Sequence, residues 1–261
     1  MVEASIADAS AVDSALADFQ PGVVIHAAAS YKDPDNWVED IRTNSLGTAN
    51  VVRAALANNV RRLVYFQTAL CYGTLPLEQP ITLAHPLRPD SSYAISKTAG
   101  EQYIELSGLD YVSFRLANAY GPRNISGPLP TFYQRLSEGK PCFVMETRRD
   151  FIYIDDLVAV VRQAVIDGIG HGKYHVATGS DFAIEELFRA TVTALGMEEQ
   201  EVEVRPRSAD DAFTILLDPS RLQADFGWKV KIALQEGIAS TVDYYRSYGV
   251  AETYTHLRVG E

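Results

Sequence analysis

The apolar residues of the chain form short strand-like runs that alternate with longer segments of helical periodicity. The strand-like runs are residues 23–25, 63–66 and 111–116. The helix-like segments are residues 11–19, 37–58 and 93–107. Strands that alternate with helices in this way are typical of a parallel sheet with helices on its faces. The pattern therefore predicts an α/β fold.

Turn-forming residues divide the chain further. Asp8 or Ser10 is predicted to cap the first helix, and the proline-rich segment 71–89 is predicted to be a loop. At residues 121–130 the sequence G-P-R-N-I-S-G-P-L-P is rich in turn formers, and shorter strands and helices follow it. We therefore predict a first domain over residues 1–120 and a smaller, interleaved lobe over residues 121–261.

Composition narrows the class of protein. Of the 261 residues, 47% are hydrophobic and 22% are charged, which is enough apolar surface to offset the entropy of ordering the chain. The formal net charge is −11, and no run of Lys or Arg builds a basic face. Binding to nucleic acid or to an anionic membrane is therefore not expected.

The two cysteines, the apolar segments and the N-terminal residues indicate where in the cell the protein is expected. Cys71 and Cys142 are isolated and predict neither a disulfide framework nor a metal site. No apolar stretch approaches the roughly 20 residues of a membrane span, and the first ten residues lack the pattern of a signal peptide. These features predict a soluble cytoplasmic protein.

The candidate chemistry centres on Tyr93 and Lys97, within the sequence Y-A-I-S-K. Positions i and i+4 share one face of a helix, so both side chains project together. A neighbouring ammonium favours the phenolate, so we expect it to lower the pKa of Tyr93 toward working pH. Such a pair is a weak signal alone, because a surface lysine beside a half-buried tyrosine gives the same pattern.

Thr68 strengthens that signal. It ends a predicted buried strand 25 residues before Tyr93. Parallel α/β sheets place their ligand sites at the carboxyl ends of the strands. Thr68 is therefore placed to hydrogen-bond the same substrate oxygen that Tyr93 protonates, although a strand-end threonine is also a common structural cap.

Several ordered blocks, spread over most of the chain, resemble the extended short-chain dehydrogenases/reductases. This family includes UDP-galactose 4-epimerase, nucleotide-sugar dehydratases and UDP-glucuronate decarboxylases. The blocks are H-A-A-A at 26–29, N-S-L-G-T at 44–48, T-A-L-C-Y-G at 68–73, Y-A-I-S-K at 93–97, R-L-A-N-A-Y-G-P-R at 115–123 and R-D-F-I-Y-I-D-D-L at 149–157. The resemblance implies a Rossmann-type, doubly wound parallel sheet that binds NAD, with a smaller α/β lobe that binds substrate.

The resemblance also implies roles for single residues. The implied catalytic residues are Thr68, Tyr93 and Lys97. The implied cofactor-binding residues are Ala27, Ala28, Ala29, Tyr93 and Lys97. The implied contacts to a nucleotide-sugar substrate are Asn118, Arg149 and, on looser spacing before Asp210, Arg207. A homodimer is implied too, through helices near residues 37–58 and 93–107.

The glycine-rich part of the family pattern is missing. A strand, a glycine-rich turn and a helix should open a dinucleotide-binding domain, and nothing like them precedes residue 20. Ser5 stands where the family usually has an Asp that contacts adenine. The glycine cluster at 168–172 follows a helix and precedes a strand, so it is predicted to be a loop. Two interpretations stay open: an N-terminally truncated Rossmann domain, or a shortened protein without a cofactor site.

The residues after Thr68 bear on the reaction. Dehydratases of the family have Asp and Glu there, and decarboxylases usually have Glu at the second position, whereas this chain has Ala69 and Leu70. The pattern is closest to that of the sugar 4-epimerases. We therefore hypothesise an NAD-dependent epimerase of a nucleotide sugar, such as a UDP-sugar for surface polysaccharide, which oxidises the substrate transiently to a keto sugar. The alternatives are an NAD(P)-dependent sugar or carbonyl reductase and a cofactor-free binding protein derived from the family.

Overall fold

The computed structural model describes residues 1–207 and 211–250. Its strands are β1 (Val23–His26), β2 (Arg62–Thr68), β3 (Tyr111–Leu116), β4 (Asn118–Tyr120), β5 (Phe143–Met145), β6 (Arg148–Arg149), β7 (Phe151–Tyr153), β8 (Gly172–Val176), β9 (Phe182–Ala183) and β10 (Glu203–Arg205). Its α-helices are α1 (Ala9–Phe19), α2 (Trp37–Asp40), α3 (Thr48–Ala57), α4 (Ser92–Leu106), α5 (Pro128–Ser137), α6 (Ile154–Arg162), α7 (Ile184–Leu195), α8 (Ser220–Phe226) and α9 (Leu234–Tyr248). The predicted α/β class is confirmed.

Strands β1, β2, β3 and β8 form a parallel sheet in that order. Successive side chains of a strand point to opposite faces, and β2 shows the consequence. Leu63 and Tyr65 pack with α1, α3 and α4, whereas Val64 packs with α6 and α8 on the other face. Helices thus cover both faces, as a doubly wound sheet requires.

Strand β1 differs from its prediction as a buried strand. Within the described residues it is an edge strand that pairs with β2 alone, and Ile25 is 49% exposed. An apolar run does not reveal whether a strand lies at the centre or at the edge of its sheet, because both positions favour β-branched residues.

The smaller part of the molecule has its own core. Helices α5, α7 and α9 pack around short strands through residues such as Leu129, Phe188 and Ile238. Strand β8, however, belongs to the main sheet, so the chain returns to the first layer after α6. The division at residue 120 remains a prediction. Residues 168–171 form a loop, as predicted, and Gly172 is the first residue of β8; Gly168, Gly170 and Gly172 all have positive φ.

The predicted helix over 37–58 forms as α2, a π-helical turn at Ile41–Gly47, and α3 in direct succession. Helix α4 packs against this turn at Gly100. A Cβ atom at Gly100 would lie 2.7 Å from the carbonyl oxygen of Asn44 and 2.8 Å from the hydroxyl of Tyr65. Glycine at this position therefore permits the close approach of the two helices.

Gly100→Ala is expected to destabilise the protein by about 1–3 kcal/mol, because backbone must move to admit the methyl group. The same substitution in an open helix interior usually stabilises by up to ~1 kcal/mol, so the sign is diagnostic. Denaturant unfolding measures the change, with the exposed Gln102→Ala on the same helix as control. A Gly100→Ala variant at least as stable as the wild type would contradict the packing described.

Within residues 1–207 and 211–250, no helix combines the length and apolar character that a membrane span requires.

Candidate functional site

A cleft of about 440 Å³ opens at the carboxyl ends of β1, β2 and β3. Parallel sheets bind ligands at this edge, because the loops that follow the strands converge there. The cleft is lined by predicted site residues from four separate segments of the chain: Ala27, Ala29, Thr68, Tyr93, Lys97 and Asn118. The structure therefore brings together most of the residues that the sequence singled out.

Thr68 stands at the last position of β2 and caps a 3-10 helix over Ala69–Tyr72. Its Oγ1 accepts a hydrogen bond from the backbone N–H of Leu70 at 3.1 Å. Its own backbone N–H donates to the side-chain oxygen of Gln67 at 2.8 Å. The hydroxyl is thus oriented by the turn that follows it and remains able to donate its hydrogen to a ligand in the cleft.

Helix α4 carries both Tyr93 and Lys97 and begins at the N-cap Ser91, whose hydroxyl accepts from the N–H of Ala94. Lys97 is only 2% exposed, and its ammonium lies 4.0 Å from the centre of the Tyr65 ring. The carbonyl of Lys97 accepts hydrogen bonds from the hydroxyl of Tyr65 and from the amide of Gln67, each at 3.1 Å. Strand β2 thereby fixes this turn of the helix beside Thr68.

Burial dominates the electrostatics of the pair. It lowers the pKa of Lys97 to about 7, and the nearby carboxylate of Glu101 opposes the shift. It raises the pKa of Tyr93 above that of an ordinary tyrosine, and Tyr31 and Asp40 raise it further. The net change is therefore opposite to the expected lowering, because loss of hydration on burial dominates the pKa of Tyr93. A positive charge beside Tyr93 would favour its phenolate.

The loop after β1 is held in place by buried polar side chains. Asn44, in the π-helical turn, accepts from the backbone N–H of Ser30 and donates to its carbonyl, both at 2.8 Å. The carboxylate of Asp40 accepts from the hydroxyls of Ser30 at 2.9 Å and Ser92 at 2.7 Å. One buried carboxylate therefore ties the segment before Tyr31 to the segment before Tyr93.

The three alanines of this loop do not contribute equally. Ala27 and Ala29 line the cleft, whereas Ala28, between them, is absent from its described lining. Ala27 and Ala29 thus border the same cleft as Lys97. Cofactor contact by Ala28 through its backbone remains a prediction.

The predicted substrate residues occupy two places. Asn118, at the start of β4, lines the cleft and donates from its side-chain amide to the carbonyl of Asp150 at 3.0 Å. Arg149 and Arg207 lie outside the described lining. Arg149 pairs with the Asp211 carboxylate at 2.6 Å, and Arg207 donates to the Asp211 carbonyl at 2.7 Å.

The two arginines thus meet at Asp211 rather than in the cleft itself. Arg207 was predicted to contact the substrate because of its position shortly before Asp210, and Asp210 lies outside the described residues. Arg149 is nevertheless adjacent in sequence to Asp150, whose carbonyl binds Asn118.

Some residues that shape the site carry only faint sequence signals. Gln67 is a buried polar residue inside an apolar strand, and Asp40 is a buried acid on an amphipathic helix. A polar residue in an otherwise apolar run is a detectable sign, because burying it without a partner is costly. Tyr31, whose ring centre is 6.3 Å from that of Tyr93, has no such sign.

The residues of the cleft fit NAD. Among residues 1–207 and 211–250, the buried ammonium of Lys97 has no hydrogen-bond acceptor, and its contact is the Tyr65 ring. A ribose supplies hydroxyl acceptors for such a group. The positive charge of an oxidised nicotinamide ring would favour the Tyr93 phenolate. Ala27 and Ala29 leave room for a flat ring at the strand ends.

Comparisons with known proteins point the same way. The profile of the family described as "NAD dependent epimerase/dehydratase family" matches residues 1–177. The chain is 32% identical to a UDP-glucose 4-epimerase of Mycolicibacterium smegmatis, over 94% of this chain and 82% of that protein. NAD, the cofactor expected from the resemblance, is thus the cofactor of the matched family.

Two solved structures are also similar. The Bordetella bronchiseptica enzyme WbmH in complex with NAD+ is 56% identical with a TM-score of 0.91, over 95% of this chain and 83% of that one. The enzyme WbmG of the same organism, in complex with NAD and UDP, is 42% identical with a TM-score of 0.91, over 99% and 84%. Fold, cleft and sequence profile agree: the chain belongs to the NAD dependent epimerase/dehydratase family, within the extended short-chain dehydrogenases/reductases.

Proposed function

We propose that the protein is an NAD-dependent epimerase of a nucleotide-activated sugar, with a UDP-sugar as its substrate. The observation that carries this proposal is the meeting of Thr68, Tyr93 and Lys97 in one cleft, with Ala69 and Leu70 directly after Thr68. Ala69 and Leu70 cannot transfer a proton, so the cleft has no acid–base pair there for eliminating water. The relative named as a UDP-glucose 4-epimerase and the structure that contains UDP support the same substrate class.

In this mechanism NAD, when bound, accepts a hydride from the sugar and later returns it. Tyr93, as phenolate, removes the proton from the sugar 4-hydroxyl while the hydride leaves the same carbon, so a keto sugar forms. Thr68 donates a hydrogen bond to the reacting oxygen, and Lys97 holds the cofactor ribose. Tyr93 gives the proton back when the hydride returns to the opposite face, and no cofactor is consumed.

We assign the rest of the substrate to residues outside the catalytic cluster. Asn118 contacts the nucleotide-sugar from the wall of the cleft. Arg149 and Arg207 bind the diphosphate, for which planar guanidinium groups are well suited. Their shared neighbour Asp211 keeps them paired before a substrate arrives. A place in surface-polysaccharide synthesis remains a prediction.

The cofactor content of the purified protein tests the first part of the proposal. Denaturing the protein and separating the supernatant by chromatography is expected to release about one NAD per chain, or to show uptake of one equivalent after incubation with NAD. Equilibrium dialysis against NADP serves as the control for cofactor choice. Protein that neither releases nor takes up NAD would contradict the proposal and favour a binding protein without a cofactor.

We also propose that the protein forms a homodimer through α2, α4 and the turn between α2 and α3. These helices pack side by side on one face of the sheet. Each exposes large apolar side chains that would remain in water in a monomer. They are Trp37, Val38, Ile41, Ile95, Tyr103 and Leu106. In a two-fold dimer, these exposed apolar side chains of one copy would be covered by the same side chains of the other copy.

Ile95→Glu is expected to convert the dimer to a monomer, because a carboxylate would be buried without a partner in the proposed dimer contact. Light scattering after size exclusion measures the mass in solution. Val158→Glu on α6 is the matched control, since Val158 is 53% exposed and Ile95 is 54% exposed. A wild type with the mass of one chain would contradict the dimer, as would an Ile95→Glu variant that keeps the mass of two.

A further inference from the structure

The catalytic groups come from two separate pieces of the fold. Thr68 belongs to the turn after β2, whereas Tyr93 and Lys97 belong to α4. Their chemistry requires a fixed separation, because a misplacement of about 1 Å can reduce a rate by about 100-fold. Whatever joins that turn to that helix therefore affects turnover without touching the substrate.

A buried ion pair lies one helical turn beyond Lys97. Glu101 is 1% exposed and occupies position i+4 from Lys97, on the same face of α4. Its carboxylate accepts from Arg115 at 2.6 Å and 3.3 Å and from the hydroxyl of Ser113 at 2.5 Å. Well-packed apolar residues often stabilise a core as much as or more than such a pair does. A stabilising role alone therefore does not account for it.

The pair continues into a directed chain of hydrogen bonds. Arg115 donates to the hydroxyl of Tyr72 at 2.5 Å, and that hydroxyl lies 2.6 Å from Nε2 of His175. Nδ1 of His175 lies 2.9 Å from the carbonyl of Asp218, so this nitrogen carries the proton. Nε2 is then an acceptor, and Tyr72 donates to it. Burial lowers the pKa of His175 to about 4, which keeps the ring neutral at physiological pH.

Tyr72 connects this chain to the other half of the site. It is the last residue of the 3-10 helix that Thr68 caps, so one short turn has Thr68 at one end and Tyr72 at the other. The chain from Glu101 through Arg115 to Tyr72 thus spans from the helix of Lys97 to the turn of Thr68. None of these three residues, nor His175, belongs to the described lining of the cleft.

We propose that Glu101, Arg115, Tyr72 and His175 are positioning residues that set the placement of Thr68 relative to Tyr93 and Lys97. This inference rests on the proposed function. The network acts by positioning Thr68, which donates a hydrogen bond to the reacting oxygen. It contacts neither the substrate nor the cofactor. Breaking it therefore lowers kcat and leaves KM and NAD binding in place.

A double-mutant cycle on the full protein tests the inference. The substrate is whichever of UDP-glucose and UDP-N-acetylglucosamine the wild type converts faster. Tyr72→Phe is expected to lower kcat about 10-fold with KM changed less than about twofold. In the Thr68→Ala background the same substitution is expected to lower kcat less than about twofold, because the residue it positions is already gone. Tyr174→Phe removes another buried, hydrogen-bonded hydroxyl away from the cleft and is the control.

Equal losses from Tyr72→Phe in the wild-type and Thr68→Ala backgrounds would overturn the inference, as would a change in KM alone. If Tyr72→Phe does not fold, His175→Gln and His175→Leu replace it. Glutamine keeps an acceptor for Tyr72 and is expected to retain kcat, whereas leucine is expected to lose about 10-fold, so equal kcat values overturn the inference. A wild type that converts neither substrate overturns the proposed function and this inference together.

Discussion

Tyr93→Phe is expected to lower kcat by about 10³-fold while leaving the fold and NAD binding intact. The phenol is the group that we propose takes a proton from a sugar hydroxyl and returns it. Within the described residues its hydroxyl has no hydrogen-bond partner, so its removal leaves no protein group unsatisfied. The change in unfolding free energy is expected to stay below about 1 kcal/mol.

Interconversion of UDP-sugar epimers, followed by NMR, measures the loss of turnover. NAD content and the thermal midpoint measure the cofactor and the fold. Tyr103→Phe, on the outer face of the same helix, is the matched control and is expected to keep wild-type kcat. A Tyr93→Phe variant with more than about a tenth of the wild-type kcat would show that another group transfers the proton.

Lys97→Met is expected to abolish turnover and yet to stabilise the cofactor-free protein. Burial lowers the pKa of Lys97 from the ordinary 10.5 to about 7, whereas the unfolded chain keeps the ordinary value. Between these two pH values the unfolded state binds more protons than the folded state. The free-energy cost of burying the charged Lys97 on folding is therefore largest at and below pH 7 and shrinks as the pH rises to 10.5. Replacing the amine by an apolar side chain removes a penalty of about 2–4 kcal/mol at pH 7.

Denaturant unfolding at several pH values measures this difference on protein stripped of cofactor, because bound NAD stabilises the wild type by mass action. The difference in unfolding free energy between Lys97→Met and the wild type is expected to be largest at and below pH 7 and nearly absent near pH 10.5. Lys173→Met, at a partly exposed lysine paired with Glu105, is the control for the loss of a lysine outside the cleft. A Lys97→Met variant less stable than the wild type at pH 7 would contradict the prediction, because burial of Lys97 would then not destabilise the folded protein.

The sequence indicated that Thr68, Tyr93 and Lys97 would lie together because each of them obeys a short-range rule. Tyr93 and Lys97 follow the i, i+4 spacing of a helix, and Thr68 follows the rule that parallel strands end at ligand sites. Gly168 and Gly170 lie in the predicted loop before β8, since turn-forming residues act locally. These elements required no knowledge of contacts between distant segments.

What the sequence did not predict depends on distant partners. The raised pKa of Tyr93 follows from its burial near Tyr31 and Asp40, which no spacing rule reveals. The contact of Arg149 with Asp211 joins residues far apart in the chain, as does the contact of Tyr72 with His175. The edge position of β1 depends on which strands pair, and an apolar run does not specify its neighbours.

We propose that the cleft oxidises a nucleotide sugar and reduces it again without consuming cofactor. The most direct measurement follows a UDP-sugar by NMR and the reduced cofactor by absorbance in the same sample. We expect an equilibrium mixture of two epimers at a constant level of NADH, and no mixture with Tyr93→Phe. Steady formation or consumption of NAD(P)H, or a dehydrated keto-deoxy sugar as product, would contradict it.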